Sequence, residues 1–369
     1  MGIIKPKYYS LKNILSKNAQ YNLIIGERSN GKTYSCLEYA IKQYAREGKQ
    51  TALVRRFIED FRGRRGASMF DAHVNNKLIE KYTGGEWTHV YYFSSRWFFC
   101  RYDEKGNRTK DETPFCYGFA LSTAEHDKGN SYPNINTIIY DEFITRTLYL
   151  PDEFTLFSNL ISTIIRQRED VKIFMLGNTV NKYGCPYVEE MGLKHFKNMK
   201  QGDIDVYRYG DTDLRVAVEY CKPNKEGKPN NYYFAFDNPK LSMITGGTWE
   251  IDIYPHLPKK YKPKDVALYF YVNYSDEWLC GEVVILEDMT FIFIHPQTKE
   301  LTEYEKQNNI IYSPEYSPLP NWNRRITEPR TPITKKIAKY FFEDKVFYSS
   351  NETGEVMRNY LMFCTKSNL

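Results

Sequence analysis

Residues 26–33 read Gly26-Glu27-Arg28-Ser29-Asn30-Gly31-Lys32-Thr33. In front of them stands Tyr21-Asn22-Leu23-Ile24-Ile25, and behind them Cys36, Leu37, Ala40, Ile41 and Tyr44 recur at helical spacing. The eight residues satisfy the pattern G-x-x-x-x-G-K-[ST] at every specified position. The apolar run predicts a buried strand, and the periodicity predicts a helix that stops near Gly48. A strand, a glycine loop and a helix in that order make a phosphate-binding loop; the alternative is an ordinary glycine-bearing turn before a helix.

The residue types suit that chemistry. Gly26 and Gly31 are expected to take positive φ and let backbone N–H groups approach an anion. Lys32 supplies a charge for the β- and γ-phosphates and Thr33 a hydroxyl for Mg²⁺, while the helix start presents its positive dipole end. Arg28 and Asn30 lie inside the loop and join Gly26, Gly31, Lys32 and Thr33 as candidate nucleotide-binding residues.

Working outward, Thr51 to Val54 predicts a second strand, ending in Arg55-Arg56, so that strand, helix and strand form a right-handed parallel crossover. Arg55, Arg56, Arg62, Arg64 and Arg65 are the densest basic run of the first half. Such a run is either a solvated face or a contact to phosphate or DNA. Val90 to Phe93, Trp97 to Tyr102 and Phe115 to Leu121 are rich in β-formers and predict an antiparallel ribbon.

Thr137-Ile138-Ile139-Tyr140-Asp141-Glu142 is the second landmark. A buried strand that ends in two carboxylates has the form of a Walker B strand, whose first acid holds Mg²⁺ and whose second polarises the attacking water. Pro151-Asp152-Glu153 then opens a helix with Phe157, Leu160, Ile161, Ile164 and Ile165 on its apolar face. Arg166 and Arg168 close it, either as cations at a helix C-terminus or as an arginine finger. Val171 to Leu176 predicts a further strand ending in Gly177-Asn178-Thr179. Asn178 is there either to sense a γ-phosphate or as an ordinary strand terminator.

Composition narrows the class. A chain of 369 residues exceeds one comfortable core, and 41% hydrophobic with 16% aromatic residues excludes a largely disordered protein. A net charge of +5 is mild, so any nucleic-acid contact must come from local clusters. Seven scattered Cys without a C-x-x-C pair predict reduced thiols in a cytosolic protein. No run approaches the ~18 apolar residues of a membrane span, and the sequence predicts a soluble protein that is not exported. The six His show no metal-ligand spacing and are assigned no metal.

Beyond Pro186 the signals weaken. Ile204 to Tyr209 predicts a strand, residues 223–231 a polar loop and residues 258–264 a basic linker. Val266 to Asn273, Gly281 to Leu286 and Thr290 to His295 predict strands, the last two as a hairpin, and Pro332 to Phe342 predicts a closing helix. The reading is therefore an α/β chain with a P-loop domain at 1–200, a linker region at 201–264 and a smaller α+β domain at 265–369.

Together the P-loop, the strand ending in Asp141-Glu142, the Arg166-Gln167-Arg168 helix end and the strand ending in Asn178 resemble the additional-strand, catalytic-glutamate class of P-loop ATPases. More narrowly, the chain resembles the DNA-packaging ATPases of phi-twenty-nine-like phages. That likeness rests on Lys128-Gly129-Asn130-Ser131-Tyr132-Pro133-Asn134 leading into Thr137 to Phe143, with Val54-Arg55-Arg56 and Arg166-Gln167-Arg168-Glu169 in the same order. It covers about the first two hundred residues.

The resemblance implies a RecA-like ATPase domain with a mostly parallel sheet, followed by an RNase H-like domain that has lost its nuclease acids and contacts portal or nucleic acid. It implies ATP and Mg²⁺ as ligands, with Lys32 at the phosphates, Thr33 and Asp141 at the metal, Glu142 as base and Asn178 as sensor. Arg166 would enter a neighbouring subunit's site, with Arg168 as the alternative. The partners it implies are double-stranded DNA, further copies in a pentameric ring, the portal of the prohead and a packaging RNA, with no membrane. The place of action is the host cytoplasm and the portal vertex. Arg62, Arg64, Arg65 and Lys128 are candidate DNA contacts. Two other functions fit the same motifs: a large terminase with a working nuclease, and a nucleotide-gated assembly protein without translocase activity.

Overall fold

The computed structural model describes residues 9–127, 129–146, 149–222, 249 and 252–365. These residues fall into two compact units, drawn from Met1–Val180 with Cys185–Trp249 and from Asn181–Gly184 with Glu250–Leu369.

The first unit is built on a sheet of ten strands. Six of them are mutually parallel, in the spatial order β6 (Cys116–Ala120), β2 (Gln50–Arg55), β7 (Ile135–Asp141), β8 (Lys172–Asn178), β1 (Tyr21–Gly26) and β10 (Arg215–Tyr220). Helix α1 (Lys32–Glu47) buries Cys36, Leu37, Ala40 and Ile41 in the cluster that holds Ile24 and Leu53. Helix α2 (Glu153–Ile165) buries Phe157, Leu160, Ile161 and Ile164 in the other cluster, with Leu23, Ile25 and Val54. Each strand thus alternates between two covered faces, which is why its sequence reads as continuous apolar residues. Each large side chain buried this way contributes ~1.5–3 kcal/mol. Helix α1 ends as its sequence requires, with Gly48 at φ 66° donating its N–H to the carbonyl of Tyr44.

Strand β8 lies between β1 and β7, so the P-loop strand and the strand ending in Asp141 are not neighbours. This is the extra strand expected of the additional-strand class, and it makes the unit a RecA-like P-loop fold. Antiparallel strands finish both edges. β3 (His89–Phe93) and β4 (Arg96–Tyr102) follow β6, β5 (Arg108–Lys110) pairs with β4, and β9 (Ile204–Arg208) pairs with β10.

Two segments differ from the sequence reading. Phe115 to Leu121 was expected in an antiparallel ribbon, yet β6 runs parallel to β2 inside the main sheet, meeting β4 antiparallel only at its start. Phe115, Cys116, Phe119, Ala120 and Leu121 are all buried, which a two-stranded surface ribbon cannot provide. Within the region 201–264 the strand expected from Ile204 to Tyr209 is β9, and β10, not foreseen, lets Val216, Ala217 and Val218 find burial beside β1. The polar loop expected at 223–231 lies outside the described residues.

The second unit has a sheet in the order β15 (Trp322–Asn323), β14 (Ile310–Tyr312), β11 (Val266–Tyr274), β12 (Glu277–Ile285), β13 (Thr290–Pro296) and β16 (Val346–Tyr348). β11, β12 and β13 form an antiparallel meander, and the β12–β13 hairpin closes with Leu286 N–H donating to the Met289 carbonyl at 2.9 Å. β14 adds parallel to β11, and β15 parallel to β14. A meander with two strands added parallel to its first is the arrangement of an RNase H-type sheet. Helix α3 (Pro332–Phe342) starts at Thr331, whose side chain accepts from the N–H of Thr334. Helix α4 (Asn351–Thr365) has no counterpart in the sequence reading, since Gly354, Glu355 and Asn359 interrupt its apolar face although all three are buried.

Candidate functional site

The site begins where β1 hands over to α1. Gly31, at φ 88°, is the residue before the helix and offers no side chain to cap it, and the Lys32 N–H of the first turn donates to Oδ1 of Asn30 at 3.3 Å. Gly26 serves differently from the expectation of positive φ: a Cβ there would stand 2.9 Å from the Cβ of Cys221. Room, and not backbone twist, demands glycine at that position.

Lys32 is buried, and its ammonium donates to the carbonyls of Gly26 (3.3 Å) and Glu27 (2.7 Å) and to the side-chain oxygens of Asn30 (3.3 Å) and Asn178 (3.2 Å). Burial lowers its pKa from the usual lysine value, against the opposing pull of Asp141 and Glu27. An ammonium held by neutral oxygens in a desolvated pocket is a strong attractor for an anion. The register explains how Asn178 reaches it, because Gly26 pairs with Asn178 across the β1–β8 ladder.

Asp141 and Glu142 arrive from β7. The Thr33 hydroxyl donates to Oδ1 of Asp141 at 3.1 Å. Oδ2 of Asp141 takes a 2.7 Å ion pair from Arg55, whose other nitrogen lies 3.0 Å from Oε2 of Glu142. Burial raises the pKa of Asp141, and Arg55 opposes that rise. Arg55 therefore holds together two carboxylates that would otherwise repel. The Glu142 side chain is 60% exposed, whereas that of Asp141 is 6% exposed. One acid is thus enclosed beside a hydroxyl, and the other reaches into solvent at the same cleft.

Glu142 itself sits at φ 64°, a left-handed conformation unusual for a residue with a side chain. Arg56 braces it. The guanidinium donates to the carbonyls of Glu142 (3.3 Å) and Phe143 (3.2 Å), and it pairs with Glu153 through Nε at 2.7 Å and Nη2 at 2.9 Å. Glu153 also accepts from Tyr140 (2.7 Å), Tyr187 (3.0 Å) and the Leu150 N–H (2.8 Å). So Arg55 and Arg56, grouped in the sequence with a surface basic run, are both inward-facing.

These residues border a cleft of about 590 Å³ lined by Arg28, Asn30, Gly31, Lys32, Thr33, Asp141, Glu142 and Asn178, among others. Tyr34, Thr145 and Arg146 also line it and were missed from sequence; Arg146 follows the acidic pair closely, which is the one signal that pointed to it. Arg166 does not line the cleft. It is exposed at the end of α2, at φ 41°, and donates to the Asn130 carbonyl at 2.6 Å. Arg168 is committed to structure, donating to the carbonyls of Ile164, Ile165, Tyr132, Pro133 and Ile135. Arg62, Arg64 and Arg65 are exposed outside the cleft, and Lys128 lies outside the described residues.

A glycine loop at a helix start, an enclosed lysine, and a hydroxyl–carboxylate pair one strand away define the site of a P-loop protein of the additional-strand class. The comparisons narrow this further. The family described as Podovirus DNA encapsidation protein (Gp16) matches residues 3–198, more than half of the chain, and the chain belongs to that family. The DNA packaging protein of Bacillus phage phi29 is 28% identical over 180 residues, covering 48% of each chain. The chain thus spans about half the length of the curated relatives it matches. In three dimensions it is similar to the Phi-28 gp11 DNA packaging motor (TM-score 0.54, 20% identity, 99% of this chain and 100% of the other). It is likewise similar to the bacteriophage Phi-29 viral genome packaging motor assembly (TM-score 0.54, 20% identity, 96% and 99%). At that identity the likeness establishes fold alone. Among the described residues, no helix is long and apolar enough to cross a membrane, and all seven Cys are buried and unpaired with one another.

Proposed function

We propose that the chain is a subunit of an ATP-driven motor that moves double-stranded DNA into a preformed phage capsid. One observation carries the reading: in a member of the encapsidation family, Lys32, Thr33, Asp141, Glu142 and Asn178 converge on a single cleft. The residues fit Mg²⁺, because the Thr33 hydroxyl and Asp141 carboxylate are hard oxygen donors already 3.1 Å apart. Thr33 and Asp141 would hold the ion, which would supply positive charge against the phosphates.

The chain's own groups do the rest. Lys32 turns from the carbonyls of Gly26 and Glu27 to the phosphates, with Arg28, Asn30 and the helix start beside it. Glu142, exposed and braced by Arg56, takes the proton of the attacking water. Asn178, at the end of the intervening strand, orients that water or reads the γ-phosphate. Arg55 offsets the charge of the two carboxylates.

Arg166 acts in the site of a neighbouring copy, in keeping with its exposure and its distance from the cleft of its own chain. Arg62, Arg64 and Arg65 contact DNA, and the unit from residue 265 onward contacts portal or nucleic acid, including a packaging RNA. The copies assemble as a pentameric ring at the portal vertex in the host cytoplasm. β11 and its parallel neighbour β14 carry no Asp or Glu, which favours a motor over a terminase with a working nuclease.

The test is ATPase rate against protein concentration, with and without double-stranded DNA. Turnover per subunit should climb with concentration and again with DNA. A rate indifferent to both would overturn the motor reading in favour of a nucleotide-gated assembly protein, and nicking of plasmid in Mg²⁺ or Mn²⁺ would favour the terminase.

A further inference from the structure

The face of the second sheet turned away from the cluster of α3 and α4 carries a group of side chains that the motor chemistry does not use. Cys280 and Glu282 are alternate residues of β12 and so share that face. His295 is the residue of β13 directly opposite Cys280. The thiol sulfur, one carboxylate oxygen and one ring nitrogen of the three all lie within 4.8 Å of one another. Nε2 of His295 is 3.5 Å from Oε1 of Glu282.

The outer contacts suit ligation. Nδ1 of His295 lies 3.1 Å from the carbonyl oxygen of Pro296, which can only accept, so Nδ1 carries a hydrogen and Nε2 is the ring atom turned to the cluster. The Tyr261 hydroxyl bonds the second oxygen of Glu282 and leaves Oε1 to the cluster. A partner on the far nitrogen of the imidazole and another on the carboxylate are what orient metal ligands. In a tetrahedral zinc site the ligand atoms stand about 3.3 to 3.8 Å apart, given bonds of about 2.0 to 2.3 Å. The imidazole–carboxylate separation already meets that spacing, and from within 4.8 Å the thiol needs to close by no more than about 1.3 Å. Cys280 is buried, whereas the Glu282 and His295 side chains are 16% and 31% exposed, so an ion can enter from the side of the two harder ligands.

We propose that Cys280, Glu282 and His295 bind one divalent ion of the zinc type, with the fourth tetrahedral position open to water or another oxygen donor. Thiolate with imidazole selects such an ion over Mg²⁺, so this site and the P-loop cleft take different metals. Bound there, the ion ties β12 to β13.

The test uses the full chain, stripped with chelator and titrated with Co²⁺ as an optical probe, then with Zn²⁺ as competitor. A thiolate-to-cobalt absorption band should grow to one equivalent and vanish as zinc replaces cobalt. Cys280→Ser should abolish the band. His295→Gln and Glu282→Gln should weaken uptake by more than the ~10–100-fold expected of Tyr261→Phe, which removes only an outer contact. Far-ultraviolet circular dichroism and the DNA-independent ATPase rate check that each variant is folded. No band in the folded wild-type chain, or a band unchanged in folded Cys280→Ser, would overturn the proposal and leave the three residues as an ion pair beside a thiol.

Discussion

Replacing Glu153 by Ala tests what holds the acidic end of β7 in place. The carboxylate is fully buried and accepts five hydrogen bonds: two from Arg56 and one each from Tyr140, Tyr187 and the Leu150 N–H. Its removal leaves the Arg56 guanidinium buried without its counter-ion. Breaking a buried pair from one side costs ~3–5 kcal/mol. For a unit of this size, ~1 kcal/mol moves Tm by ~2–4 °C, so Tm should fall by ~6–20 °C. Most of the loss is the isolated charge and not the bond, and that has a consequence. Arg56→Met combined with Glu153→Ala should cost much less than the two single changes together, with a coupling of ~2 kcal/mol or more. Urea unfolding followed by near-ultraviolet circular dichroism of all four chains measures the cycle. Additivity within ~0.5 kcal/mol, the behaviour of independent sites, would refute the argument that the pair acts as a unit beneath Glu142.

Three further outcomes follow from the same geometry. Glu142→Gln should bind ATP with near-normal affinity and hydrolyse it at least ~10²-fold more slowly, as loss of a general base requires; near-normal turnover in single-turnover assays would remove Glu142 from the mechanism. Arg166→Ala subunits mixed with Lys32→Ala subunits should recover activity that neither has alone, since an arginine acting in trans is worth ~10³ to 10⁵ in rate; no recovery at any mixing ratio would count against a shared site. His73 should make the fold acid-sensitive. Burial lowers its pKa, with Glu38 and the Tyr34 carbonyl opposing, so the neutral ring is the folded form. The stability it contributes is complete above the ordinary histidine pKa of ~6.5 and is lost as pH falls through that value toward the folded one. Thermal melts between neutral and acid pH should show a steeper decline in wild type than in His73→Gln, and parallel curves would contradict it.

Much of the candidate site was legible along the chain. The phosphate loop and the acidic strand end announce themselves because each is a contiguous run whose chemistry depends on residue type and local conformation, whereas Asn178 reads equally well as a strand terminator. Apolar runs of four to six residues marked four of the six parallel strands, β1, β2, β7 and β8, for the same reason, since both faces of each strand are covered; β6 and β10 escaped because only their neighbours make them core.

What the sequence alone determined, then, is that a P-loop stands at the head of a helix with an acidic strand downstream. Tertiary structure decided the rest, because those features depend on which distant segments become neighbours. The insertion of β8 between β1 and β7 brings Asn178 to Lys32, a partner 146 residues away. The same pairing of strands sorts five arginines that look alike in sequence: Arg55 lies against Asp141, Arg56 against Glu153, and Arg62, Arg64 and Arg65 stay in water. Cys280, Glu282 and His295 follow no ligand spacing either, since a hairpin turn separates His295 from the other two in the chain and a β-ladder reunites them. Local conformation is written along the chain, but the electrostatic field at a site is the sum over everything folding packs around it.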